Sequence, residues 1–108
     1  MYVNPVNYST VTAFVEGYNF GDDSRPLRGF REWLVMQVEV GHNFHWPKLV
    51  LCQAFPHNET PWKMPTTPEA NAEAIDAMFR LLAEFFDVLN ENGLQSILDS
   101  HVEWKRQR

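Results

Sequence analysis

Glu39, His42, His45, Cys52 and His57 form the one cluster in this sequence that combines histidine, cysteine and carboxylate, side chains of metal-ligand type. Imidazole, thiolate and carboxylate groups bind zinc and other transition ions when three or four of them converge. His42 and His45 lie two residues apart, without the i, i+4 spacing that a zinc peptidase carries on a helix. They fall on a predicted turn, so surface histidines beside a core cysteine are the plainer reading. His42, His45 and His57 are the candidate metal ligands on the other reading, a small metal- or ligand-binding protein or enzyme built on the polar turn around 39–57. Arg28, Arg31 and Glu32, with Asp22 and Asp23 nearby, are suited either to holding an anion or to pinning the first loop. The second use is the commoner one. Gln37 and His101 lie on apolar stripes, where a hydrogen-bonded core role is the ordinary one. There is no glycine-flanked nucleophilic serine and no phosphate-cradling glycine loop, and Cys52 sits in the apolar run LVLCQAF. No catalytic residue is assigned, and no cofactor is expected.

The more specific signal is electrostatic. At about 100° per residue, Glu69, Glu73, Asp76, Glu84, Asp87 and Glu91 fall within an arc of roughly 80° on one predicted helix. Arg80 is the one basic residue in that arc, and between Glu69 and Glu103 there are eight acids against that single arginine. A solvated helix face ordinarily mixes lysine with glutamate, because opposite charges at i, i+4 stabilise a helix and like charges cost a few tenths of a kcal/mol. Glu69–Glu73, Asp87–Glu91 and Glu73–Asp76 are like pairs. Such self-repulsion is tolerable on a surface kept for a basic protein partner. The expected contact residues are Glu73, Asp76, Glu84, Asp87 and Glu91, with Asp99 and Glu103 added if the last helix folds alongside.

Five helices are expected to position these groups. After an extended arm over residues 1–8, Ser9 or Thr10 caps a first helix whose apolar face is Val11, Phe14, Val15 and Tyr18, stopped by Gly21. A second helix begins near Pro26 and carries Leu27, Phe30, Trp33, Leu34, Gln37 and Val38 on one stripe. Gly41-His42-Asn43 then turns the chain into a short apolar helix, Lys48 to Phe55, with Pro47 in its first turn. LVMQVEV also alternates with period two, so a hairpin over 34–55, which would make the fold α+β, is the rival reading. From Pro56 to Pro68 four prolines mark a surface connection from which Trp62 and Met64 are expected to fold back onto the core. Thr67 as cap, Pro68 in the first turn and Gly93 as terminator bound the long fourth helix, and Leu94, Ile97, Leu98, His101 and Val102 mark the fifth. Ile75, Met78, Phe79, Leu82, Phe85, Phe86 and Leu89 lie opposite the acidic arc, and Trp33, Leu34, Phe79, Leu82 and Phe86 are the expected core. The fold class read from these signals is all-α, a four- to five-helix bundle forming a single domain.

Composition narrows the function classes. A net charge of −5 opposes nucleic-acid binding by phosphate neutralisation. The lone cysteine excludes an internal disulfide and suits a reducing compartment. No run approaches the roughly 18 apolar residues of a membrane span, and the first ten residues carry no signal-peptide pattern, so a cytoplasmic location is expected.

Gly29-Phe30-Arg31-Glu32-Trp33-Leu34, Asn43-Phe44-His45-Trp46, Leu49-Val50-Leu51 with Ala54-Phe55-Pro56, and Gly93-Leu94 followed by Ile97 and Trp104 resemble segments of short, uncharacterised bacterial proteins. That resemblance brings no activity and no catalytic residues. In size, acidity and helical content the chain is also similar to the bacterial immunity proteins that neutralise toxins. An inhibitor of this kind implies a rigid fold with an exposed acidic face. An enzyme implies a cleft with convergent polar groups, and a structural subunit implies a large exposed apolar patch.

Overall fold

The computed structural model describes residues 7–21, 25–38 and 44–107. These form α1 (Tyr8–Gly21), α2 (Phe30–Val38), α3 (Trp46–Ala54), α4 (Pro68–Asn92) and α5 (Leu94–Arg106), and none of the described residues is in a strand. The all-α reading holds, and α2 and α3 replace the hairpin considered for 34–55. The turn between them, with Gly41, His42 and Asn43, lies outside the described residues. The molecule measures 48 × 36 × 21 Å. Its shortest dimension is that of two helix layers at about 10 Å each.

The core is organised by aromatic rings from three helices. Phe30 of α2 lies 5.2 Å from Phe85 of α4 and 5.6 Å from Trp46 of α3, and Trp33 joins Phe85 at 5.9 Å. These rings, with Leu34, Val35, Leu49, Val50, Leu51, Met78 and Leu81, are buried in one cluster. Val35 is buried as fully as Leu34, as expected of a helix covered on more than one side. Gln37, placed on the apolar stripe by its spacing, is instead exposed. A single turn shifts the start of α2 from Pro26 to Phe30, and Gly29 closes that turn with φ +92°. A Cβ at Gly29 would stand 2.7 Å from Leu94 Cδ1, so the missing side chain lets the start of α5 pack against the start of α2.

α1 starts one residue before its expected cap. The Asn7 side chain accepts the Thr10 N–H at 2.7 Å, so Asn7 does the capping in place of Ser9 or Thr10. Tyr8, assigned to the extended arm on sequence, is fully buried in the first turn. Its backbone N–H donates to Asn71 Oδ1 at 2.7 Å and its hydroxyl donates to the Pro47 carbonyl at 2.6 Å, tying α1 to both α4 and the start of α3. The apolar face is rotated accordingly. Val11 and Val15 rest against the core, whereas Phe14 is 77% exposed and Tyr18 is also exposed.

α3 begins close to its expected position, with Pro47 in the first turn. Beyond it, Trp62 leans on Phe44 at 5.8 Å but stays partly exposed, and Met64 is exposed instead of folding back onto the core. The limits of α4 follow its local signals. Thr67 Oγ1 accepts the Ala70 N–H at 3.1 Å, and Gly93, at φ +82°, donates its N–H to the Leu89 carbonyl at 2.8 Å.

On α5, Ile97 is buried and Val102 is exposed. His101 lies half-buried with its ring stacked on Trp104 at 5.9 Å. Desolvation lowers its pKa, Glu32 pulls the other way, and Lys105 and Arg31 add to the lowering. A histidine base with a depressed folded-state pKa favours folding while neutral, and this contribution is lost as pH falls below the ordinary value near 6.5. His101→Phe keeps the stacking and removes the titration. Melting curves between about pH 7.5 and pH 5.5 should therefore show a larger loss of stability in the native chain than in His101→Phe.

Candidate partner-binding face

α4 is the element that sets the candidate site, and its register decides which side chains reach solvent. The residues it buries are Ala74, Ala77, Met78, Leu81, Leu82 and Phe85. On a helical wheel this stripe is rotated by roughly 70° from the expected apolar side, Ile75, Met78, Phe79, Leu82, Phe85, Phe86 and Leu89. Met78, Leu82 and Phe85 are common to both and are buried, as are Trp33 and Leu34 on α2. Phe79 and Phe86, expected in the core, are 55% and 40% exposed. The alanines explain the shift. Ala74 and Ala77 offer little apolar area, but their small size lets α4 approach its neighbours closely and brings Phe85 into the ring cluster.

The acidic arc stays outside in this register. Glu69, Glu73, Asp76, Glu84, Asp87 and Glu91 are all exposed. Among the described residues the one ion pair on this face is Arg80 to Glu84, 3.3 Å apart at i, i+4. It is solvent-exposed and worth little. Glu73, Asp76, Asp87 and Glu91 have no cationic partner among the described residues. Asp99 and Glu103 of α5 are engaged locally, Asp99 by Gln95 at 2.9 Å and Glu103 by Arg106 at 3.4 Å.

Beside the arc, where the end of α3 meets α4, lies an open groove of about 260 Å³ lined by Ala54, Glu73, Asp76, Ala77 and Arg80. Its polar groups are one guanidinium and two carboxylates. Carboxylates next to a helix C-terminus form a negative environment, since that end of a helix carries partial negative charge.

The polar turn is arranged differently. Glu39 and His42 lie outside the described residues. His45 Nε2 meets Glu16 Oε1 of α1 at 2.9 Å, and the same carboxylate oxygen accepts the indole N–H of Trp46. His45 thus belongs to a contact joining α1 to the start of α3. Cys52 is buried, and burial raises its thiol pKa, which keeps it protonated. His57 is exposed in the turn after α3. Among the described residues no three ligand-type side chains converge. Arg31 donates through Nε to the Phe44 carbonyl at 2.8 Å and so ties α2 to the residue just before α3, whereas Arg28 is exposed. Asp22 and Asp23 lie outside the described residues.

No family model, no curated protein and no solved structure matches this chain. Among the described residues, no helix is long and apolar enough to cross a membrane.

Proposed function

We propose that this chain is a small interaction protein of the immunity type, an inhibitor that holds a basic protein partner against the acidic face of α4. The observation supporting this reading is the row of exposed carboxylates, Glu73, Asp76, Asp87 and Glu91, which among the described residues have no cationic partner, on a helix whose one ion pair among those residues is Arg80–Glu84. A helix under no demand but solubility gains stability from interspersed lysines, and α4 forgoes that gain. Glu73, Asp76, Glu84, Asp87 and Glu91 are the contact residues. They steer the encounter and pair with lysine or arginine on the partner, since complementary potentials act chiefly on association rate and selectivity. A basic nuclease-like toxin suits this surface, because an acidic helix can occupy a groove shaped for phosphates.

The test is affinity capture from the host lysate with the native chain and with Asp76, Glu84 and Asp87 all changed to lysine. The native chain is expected to retain a basic protein that is released as salt rises, and the variant to lose it. Recovery of the same proteins by both chains, with the same salt sensitivity, would make the arc a merely solvated face.

A further inference from the structure

The exposed half of α4 is not uniformly acidic. Ile75, Phe79 and Phe86 line one edge of it, and Asp76, Asp87 and the rest of the arc line the other. Between them come only Ala72, Ala83 and Asn90, which are exposed and short enough for another backbone to approach. Among the described residues Phe79 makes no ring contact, and Phe86 rests on the ring of Phe85 at 5.5 Å. Phe79 and Phe86, seven residues apart, are the exposed members of the row Ile75, Phe79, Leu82 and Phe86, in which Leu82 is buried and Ile75 packs partly against the core. Seven residues is one repeat of the seam by which one helix receives another. Phe79 and Phe86 stand about 10.5 Å apart along the axis, two turns of a facing helix.

From this arrangement we infer that the partner segment docked on α4 is an amphipathic basic helix. Its apolar side covers Phe79 and Phe86, and its lysines or arginines meet Asp76 and Asp87. The inference rests on the basic-partner reading above and adds the form of the partner to its charge. Charge selects this occupant over a second copy of the chain. Two copies of α4 paired antiparallel along the seam would bring acidic arc against acidic arc. A parallel pairing would set the arc against the side of the neighbouring α4 that is already packed on its own core. A basic helix meets neither obstacle. Helix-in-groove recognition uses this combination, apolar anchors at i, i+3 or i+4, and i+7, with flanking charges selecting the partner.

Three fluorescein-labelled peptides of equal net charge test this by anisotropy. The first places leucine at i, i+3, i+4 and i+7 with lysine elsewhere. The second has the same composition with its leucines spread around the helix, and the third is oligolysine. The native chain is expected to bind the first at least about tenfold more tightly than the other two, as a partner using two aromatic anchors should. Phe79→Ser with Phe86→Ser should remove that preference and leave the three affinities equal, with unchanged circular dichroism showing that α4 remains folded. Phe79→Ser alone, at a site more than half exposed, should give part of the same loss. Asp76→Lys with Asp87→Lys should weaken all three peptides. Equal binding of the three peptides by the native chain, or a preference that survives the double serine variant, overturns the amphipathic helix while leaving the basic-partner reading standing. Binding of none of them at low salt counts against both. A dimer of the native chain in sedimentation, lost on Phe79→Ser, would make a second copy the occupant and overturn the inference.

Discussion

Phe85→Ala is expected to lower the stability of the fold by about 3 to 5 kcal/mol, the usual cost of emptying a phenylalanine site in a packed core. Phe79→Ala, six residues earlier on the same helix, should leave stability within about half a kcal/mol of the native value. The difference comes from the register of α4. Phe85 is fully buried among Phe30, Trp33 and Phe86, whereas Phe79 is more than half exposed and touches no other ring among the described residues. Truncating Phe85 removes its ring contacts to both Phe30 and Trp33 of α2 and leaves a cavity that the stiff aromatic neighbours cannot fill. For a domain of this size, a loss of that magnitude is a large share of the total stability. Urea titrations of both variants measure the contrast directly. Equal losses would place Phe79 in the core and restore the register suggested by the hydrophobic pattern alone.

Charge reversal on α4 should have its largest effect on binding rather than folding. With Asp76, Glu84 and Asp87 changed to lysine, association with a basic partner at low ionic strength is expected to slow by about ten- to a hundredfold. The gap between native and variant should narrow as salt rises and the Debye length shrinks. The variant should fold as well as the native chain, because these side chains are exposed and the Arg80–Glu84 contact it breaks is a surface pair. Stopped-flow association at two salt concentrations reads both features. A rate that is unchanged by the reversal would remove the steering role from this face.

How much of this was legible in the sequence depended on how local each signal was. The limits of α4 were readable because Thr67, Pro68 and Gly93 act on their immediate neighbours. The acidic arc was readable for the same reason, since its width depends only on helical spacing. The buried side of α4 was legible only in part. Helical spacing puts Met78, Leu82 and Phe85 on it, but gives Phe79 and Phe86 equal standing, while the packing face runs through Ala74, Ala77 and Leu81. The value of the two alanines lies in the close approach they allow, which hydrophobicity alone does not register. α1 shows the same limit. Asn7 and Ser9 are both good caps, and the choice of Asn7 goes with burying Tyr8 against Pro47 and Asn71, residues distant in sequence. The Glu16 contact with His45 and Trp46 is likewise a product of how α1 packs, and no local pattern announces it.

Amide NMR spectra of the chain, recorded as its captured basic partner is added, test the proposed interface most directly. Shifts are expected to concentrate on α4 at Glu73, Asp76, Glu84, Asp87 and Glu91 and to extend to Phe79 and Phe86. Shifts confined to the exposed Phe14 and Tyr18 side of α1, with the α4 arc unmoved, would contradict this interface.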